Sequence, residues 1–165
     1  MFPYFNEAHN VNKAWLIQQV YEATSRMITR ESRHTVNLKI TSTPNAPSPG
    51  GAYSQAIGAG NLIFTAGQVG LSPVSGQTST DFREQTRQSL RNLREVLVAS
   101  GADLTSVVKT TCLLTDIAMF SAFNEEYAAF FGEHRPARST FGVALAGGFL
   151  VEIEAIAYVP DIDKH

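Results

Sequence analysis

Near the end of the sequence two carboxylates interrupt a run of apolar residues: Glu152 and Glu154 stand within LVEIEAIAYV. In an extended chain alternate side chains leave opposite faces. Val151, Ile153, Ala155 and Ala157 therefore share one face, and Glu152 and Glu154 share the other. Acids stand in apolar strands only where water, a cation or a ligand offsets their desolvation. A solvated sheet face satisfies that condition, and so does an acid that faces a cation or a substrate. Arg138 is the candidate cation, with Pro136 restraining the backbone just before it. A guanidinium clamps a carboxylate through two parallel hydrogen bonds, so this residue suits a small anionic ligand as well as it suits a surface charge.

Other chemistries find less support. His9, His34, His134 and His165 are scattered without HxH or HExxH spacing, so no metal is expected. GAG at 58–60 precedes a strand pattern rather than a helix and lacks the later glycine of a dinucleotide fingerprint, and no nucleotide or other cofactor is expected. There is no GxSxG elbow, and the single cysteine, Cys112, lies in a strand-like segment that reads as buried and inert. Arg83, Arg87, Arg91 and Arg94 form a helical stripe that could track phosphates. With Glu84 and Glu95 beside it, the stripe reads as a solvated face, and it lacks the aromatic platforms of a single-strand binder.

The totals narrow the field further. A formal net charge of -2 creates no field to gather nucleic acid, so small-molecule chemistry or protein contacts are expected first. One cysteine permits neither an internal disulfide nor a CxxC pair, which suits a reducing, cytoplasmic setting. No apolar run approaches the roughly 20 residues that span a bilayer, and no membrane association is expected. At 165 residues one core is the natural expectation.

The elements that must hold these side chains follow from periodicity. From Asn10 to about Arg33 apolar residues recur at helical spacing without Gly or Pro, which predicts an amphipathic helix. Arg26, Arg30 and Arg33 also suggest a mitochondrial presequence, but Glu7, Glu22 and Glu31 argue against one. Residues 36–41 and 62–66 read as strands, and the turn-rich residues 67–77 as a hairpin-like excursion. A helix opens at Asp81, with Asp81 and Glu84 at capping-box spacing, and ends at Gly101. Residues 107–114 form a strand, a second helix runs from about Asp116 to Gly132, and strands at 139–144 and 150–159 follow. The order β-β-α-β-α-β-β predicts an α+β fold whose mixed sheet carries both helices on one face.

Six blocks then resemble one family in order: GAYSQAI, NLIFTAGQVG, EQTRQSLRNL, VVKTTCLLTD, FNEEYAAFFGEHRPARST and VEIEAIA. On these the chain resembles the YjgF/RidA proteins over about residues 38–159. The resemblance implies a chorismate-mutase-like fold of the bacillus type and a homotrimer whose sheets line a central β-barrel, with an active cleft at each subunit interface. It implies hydrolytic deamination of 2-imino or 2-enamino acids to 2-keto acids. Arg138 would hold the substrate carboxylate and Glu152 the hydrolytic water. Tyr53 and Asn124 would line the pocket, and the backbone around Ser139 and Thr140 would add hydrogen bonds.

An imine carbon is already electrophilic, so water addition needs positioning and a modest base rather than a metal. A Glu near an Arg is expected to stay ionised, its pKa lowered by the opposite charge. Some relatives are described as ribonucleases, and a non-enzymatic ligand-binding trimer would use the same cleft. Two features depart from the family pattern: Ala66 replaces a serine, and the segment between Arg138 and Glu152, which includes residues 145–149, is about one residue shorter. The expected organisation is an N-terminal helical extension at 1–36, a YjgF/RidA-like domain at 37–160 and a tail at 161–165.

Overall fold

The computed structural model describes residues 13–31 and 37–160. It divides into two units, and the first contains helix α1, Lys13–Glu31. This helix satisfies the expected periodicity, while Asn10 and Arg33 lie outside the described residues. Its Leu16, Ile17, Val20 and Tyr21 are exposed.

The second unit is one mixed sheet and two helices. Strands β1 (Leu38–Thr41), β2 (Ala56–Ala59), β3 (Leu62–Thr65) and β4 (Gln68–Val69) precede α2 (Phe82–Ala99). Strand β5 (Val107–Leu114), α3 (Phe120–Phe131), β6 (Ala137–Gly142) and β7 (Val151–Tyr158) follow. The sheet order is β1-β2-β3-β7-β5-β6, with β4 also pairing with β7. β5 and β6 run parallel, and the other pairs are antiparallel. The last strand in sequence thus lies inside the sheet, and β6 is an edge.

Both helices cover one face, as the element order predicts. Leu90, Leu93, Val96 and Leu97 of α2 and Phe123 of α3 are fully buried against Ile63, Cys112, Val151 and Ile153 in one core. Removing a side chain of this kind from water stabilises the fold by roughly 1.5–3 kcal/mol. The opposite sheet face is uncovered in a single chain: Ile40 is 69% exposed, Phe141 52%, Tyr158 48% and Phe64 42%. A contiguous apolar sheet face left bare in one chain marks an association surface.

Where local structure departs from expectation the causes are physical. β2 is built from Ala, Ile and Gly, a composition with weak strand preference, and β4 is only a two-residue ladder on β7. The excursion after β4 is hairpin-like as expected, with a Leu71↔Thr78 bridge. The second helix begins with a 3-10 turn, Ile117–Met119, capped by Asp116, before α3 starts. Of the expected capping box at α2 only half forms. Asp81 accepts from the Glu84 amide at 2.8 Å, but the Asp81 amide donates to Ser79 Oγ, and Glu84 turns to Arg87 and Arg91.

Candidate active site

The structure distributes the expected site residues over two places, on opposite faces of the sheet. Arg138 pairs in parallel with Thr110, which is fully buried on the helix-covered face. Glu152 lies one step from Val151 and Ile153, both fully buried on that same face, so its carboxylate leaves on the uncovered side. Thr110 also pairs with Ala155, three residues along β7 from Glu152 and hence roughly 10 Å further along the strand. One chain therefore does not bring Arg138 and Glu152 together.

The arginine half is built by β6 and α3. The guanidinium carbon of Arg138 lies 4.6 Å from the ring centre of Tyr127, 5.5 Å from that of Phe120 and 5.7 Å from that of Phe123. Cation–π attraction to three rings holds it. Its Nη2 donates to Asn124 Oδ1 at 2.9 Å, so Arg138 and Asn124 do meet. Among the described residues no carboxylate forms an ion pair with Arg138, whereas Arg83, Arg87, Arg91 and Arg94 are each paired with glutamate. Ser139 and Thr140 continue β6, an edge strand with one side of its backbone unpaired within the sheet. The Ser139 side chain faces away from Arg138 and accepts from Lys109 Nζ at 2.7 Å.

The glutamate half is a cleft of about 550 Å³ whose wall includes Glu152, Tyr53, Gly67, Val69 and Phe149. Gly67 makes room for the glutamate: a Cβ there would overlap the Glu152 carboxylate in its present position. Tyr53 Oη accepts from the Gly50 amide at 3.0 Å, which fixes the ring at the cleft edge. β4 is held on α2 by buried polar side chains. Ser89 Oγ donates to the Gln68 carbonyl at 2.7 Å, and Asn92 Nδ2 to those of Val69 and Leu71 at 2.9 and 2.8 Å.

Within a single chain, among the described residues, Glu152 has no arginine beside it. Desolvation by burial, with the like charge of Glu154 second, raises its pKa above the ordinary 4.5. The lowering that an adjacent Arg138 would cause is absent, because the arginine is on the other face. Cys112 is fully buried, and burial pushes its thiol up to about 11, so it is inert at neutral pH. Among the described residues no group of three His, Cys, Asp or Glu is arranged to hold a metal. His134 is occupied with the Val107 carbonyl at 2.7 Å. No described helix is long and apolar enough to cross a membrane.

Several participants were not singled out in the sequence. The aromatic cage was legible only as a core stripe, since Phe120, Phe123 and Tyr127 at i, i+3 and i+7 also describe an ordinary buried face. Gly67, Val69 and Phe149 carry no local signal of their own. Gln85, Ser89 and Asn92 did leave one, being polar residues at i, i+4 and i+7 on the core face of α2.

Fold and site together define a class: an α+β chain with a half-covered mixed sheet and two complementary half-sites, one cationic and one a desolvated carboxylate. Within that class the chain belongs to the endoribonuclease L-PSP family, whose profile matches residues 43–159, and so to the YjgF/RidA proteins. It is 47% identical over 121 residues to the rat 2-iminobutanoate/2-iminopropanoate deaminase, covering 72% of this chain and 88% of that protein. It is 48% identical over 128 residues to the chloroplastic Reactive Intermediate Deaminase A of Arabidopsis thaliana, covering 76% and 68%. Among solved structures, the E. coli YjgF gene product superposes with a TM-score of 0.70 at 41% identity, covering 73% of this chain and 98% of that one. E. coli TdcF with bound serine gives 0.70 at 39% identity, covering 73% and 98%.

Proposed function

We propose that this protein hydrolyses reactive 2-imino and 2-enamino acids, such as 2-iminopropanoate and 2-aminoacrylate, to 2-keto acids and ammonia. The reaction would occur where the Arg138 half of one chain meets the Glu152 half of the next in a homotrimer. The observation that carries the reading is the division itself: among the described residues, an arginine with no carboxylate partner and a carboxylate with no cation, on opposite faces of one sheet. A ring in which unlike faces meet joins each arginine to a neighbour's glutamate. The exposed Ile40, Phe64 and Phe141 supply apolar area for such an interface. The resemblance supplies the number three and the central barrel. The bound serine of TdcF is a small amino acid of the size and charge this clamp suits.

The chemistry follows from the groups. Arg138, presented by its aromatic cage with Asn124, receives the substrate carboxylate through paired N–H donors. Glu152 takes a proton from water as the water oxygen bonds to the imine carbon, the C=N pair moves to nitrogen, and Glu152 passes that proton to the nitrogen to give the carbinolamine. The carbinolamine then collapses: Glu152 takes the hydroxyl proton and delivers it to the nitrogen as the oxygen pair forms the carbonyl and the C–N bond breaks, so ammonia leaves. Burial raises the Glu152 pKa within its own chain, and the substrate carboxylate occupies the neighbour's Arg138, so Glu152 keeps the basicity that the first step needs. The edge backbone at Ser139 and Thr140 and the Tyr53 ring complete the pocket. The YjgF/RidA-like domain is taken as residues 37–160, with 1–36 an extension, in the cytoplasm or, if the extension includes a presequence, in mitochondria.

The test is keto acid release from 2-iminopropanoate or 2-iminobutanoate generated in situ, with the native protein beside Arg138→Ala and Glu152→Gln. Acceleration by the native protein and its loss in both variants is expected. Mixing the two variants after dissociation and reassociation should restore about a quarter of the native activity, because in a ring some neighbouring pairs regain both groups. No acceleration by the native trimer sinks the deaminase and leaves a ligand-binding trimer. Full loss with no recovery on mixing sinks the shared cleft. The RNA-cleaving alternative is not favoured, since each arginine of the α2 stripe is engaged by glutamate.

A further inference from the structure

The segment between β6 and β7 supplies a wall of the Glu152 cleft that the proposed chemistry leaves without a role. Residues 147 and 148 adopt φ of +70° and +75°, which glycine tolerates and other residues rarely do, so the chain turns sharply there. The Phe149 ring folds back onto this turn; a Cβ on Gly147 would stand 2.9 Å from Phe149 Cε2. On the far side the Leu150 amide donates to Gln85 Oε1 at 2.9 Å, and Gln85 is itself buried in α2. Turn and anchor hold the ring at the cleft from both ends.

Polar and apolar groups share the rest of the wall, and the apolar ones stand beside the ring. Ala66, Val69 and Ala146 contribute only aliphatic groups, and the Tyr53 hydroxyl is engaged with the Gly50 amide. A cleft of about 550 Å³ lies within the roughly 300–1,000 Å³ of sites that hold drug-sized ligands.

Building on the deaminase reading, we infer that Phe149 is a specificity-determining residue. Its ring receives the substrate side chain, and the preferred substrates are 2-imino acids with bulky apolar side chains, branched aliphatic or aromatic, rather than those with a methyl group. Burial of the additional carbons against the ring stabilises the transition state for such substrates over that for 2-iminopropanoate. The bond changes at the imine carbon are those already given.

The experiment measures kcat/KM for imines made in situ by an amino acid oxidase from leucine and phenylalanine, against that from alanine, on the native trimer and on Phe149→Ala and Phe149→Leu. The leucine-to-alanine ratio in the native protein should be roughly tenfold or more, the scale of a methylene or two in an apolar pocket. Phe149→Ala should lower that ratio roughly tenfold and Phe149→Leu should largely retain it. A merely structural role for Phe149 would lower both substrates alike and leave the ratio where it was. Independently of any variant, 4-methyl-2-oxopentanoate should inhibit the native protein more tightly than pyruvate. A native ratio near one, a ratio unmoved by Phe149→Ala, or equal inhibition by the two keto acids overturns the inference. Absence of turnover with every imine overturns the deaminase reading beneath it, and so separates the two failures.

Discussion

The two half-sites are held by different means. Arg138 sits on regular structure: one strand presents it, one helix cages it with three rings, and Asn124 from the same helix fixes the guanidinium plane. Glu152 starts from an equally regular strand, but the walls of its cleft are loops, a two-residue strand and a glycine whose missing side chain makes room for the carboxylate. The arginine is prepared for a charge that must come from outside its own chain's polar groups. The glutamate is prepared by withdrawing water from it. A cation keeps its charge at any working pH, so it needs only orientation, whereas a carboxylate becomes a useful base only when its surroundings raise its pKa.

Loss of Arg138 should cost more than any other single change. Arg138→Ala should lower kcat/KM roughly a thousandfold, the scale at which losing one partner of a desolvated charge pair registers. Arg138→Lys should restore only part of this, because an ammonium lacks the fork that meets both carboxylate oxygens. Steady-state kinetics on 2-iminopropanoate checks both. Equal activity of the alanine variant would mean that the cage is structural.

Glu152→Gln should cost roughly a hundredfold, within the range for a general base. Its pH signature is more telling. The working form is the carboxylate, and burial raises its pKa, so with the substrate carboxylate occupying Arg138 the acid limb of kcat should fall above pH 4.5 rather than at or below it. The stability consequence has the same origin. Above the ordinary 4.5 the folded protein holds this proton where the unfolded chain has released it, so this group's contribution to stability declines as pH rises through the raised value. Glu152→Gln should abolish that slope in thermal melts across the window.

Gly67→Ala perturbs the same half more gently. The added Cβ overlaps the end of a flexible side chain rather than backbone, so Glu152 swings aside and the fold survives. Displacement of a catalytic group by about an ångström should cost roughly tenfold in kcat, with little change in melting temperature. A large loss of stability instead would show that the glutamate half is as rigid as the arginine half.

The two halves also differ in how far the sequence discloses them. Alternation in β7 is enough to separate Glu152 from the core, because a period of two is a local property of the strand. The helices and their shared face follow likewise from local periodicity, and the order of blocks identifies the family. That Arg138 and Glu152 face opposite ways is not local: it depends on the parallel register of β5 with β6, set by residues far apart in sequence. For the same reason a single chain raises the Glu152 pKa, where an adjacent arginine would lower it. Gly67 and Phe149 were illegible because a glycine's role lies in what approaches it, and a lone aromatic in a loop has no period to read.

The α2 stripe gives the smallest expected effect and the sharpest contrast with Glu152. Arg87 donates to Glu126 at 2.8 and 2.9 Å and to Glu84 at 3.1 Å, and these bonds hold both carboxyls below the usual carboxylate range, Glu126 chiefly through Arg87 and Glu84 chiefly through Arg91. A depressed carboxyl stabilises the fold above its unfolded pKa and loses that contribution as pH falls through the folded one. Glu152 has the opposite sign. Arg87→Ala should therefore leave deamination within about twofold of native, as expected of a surface site far from the reacting atoms, while shifting acid unfolding to slightly higher pH. If the stripe served RNA, the native protein would bind single strands with a log–log salt slope of roughly -0.7 per phosphate contact, and the variant would lose part of that slope. Because the arginines already have carboxylate partners, no such slope is expected in either protein, and its appearance would move the functional weight of the molecule from the cleft to the helix.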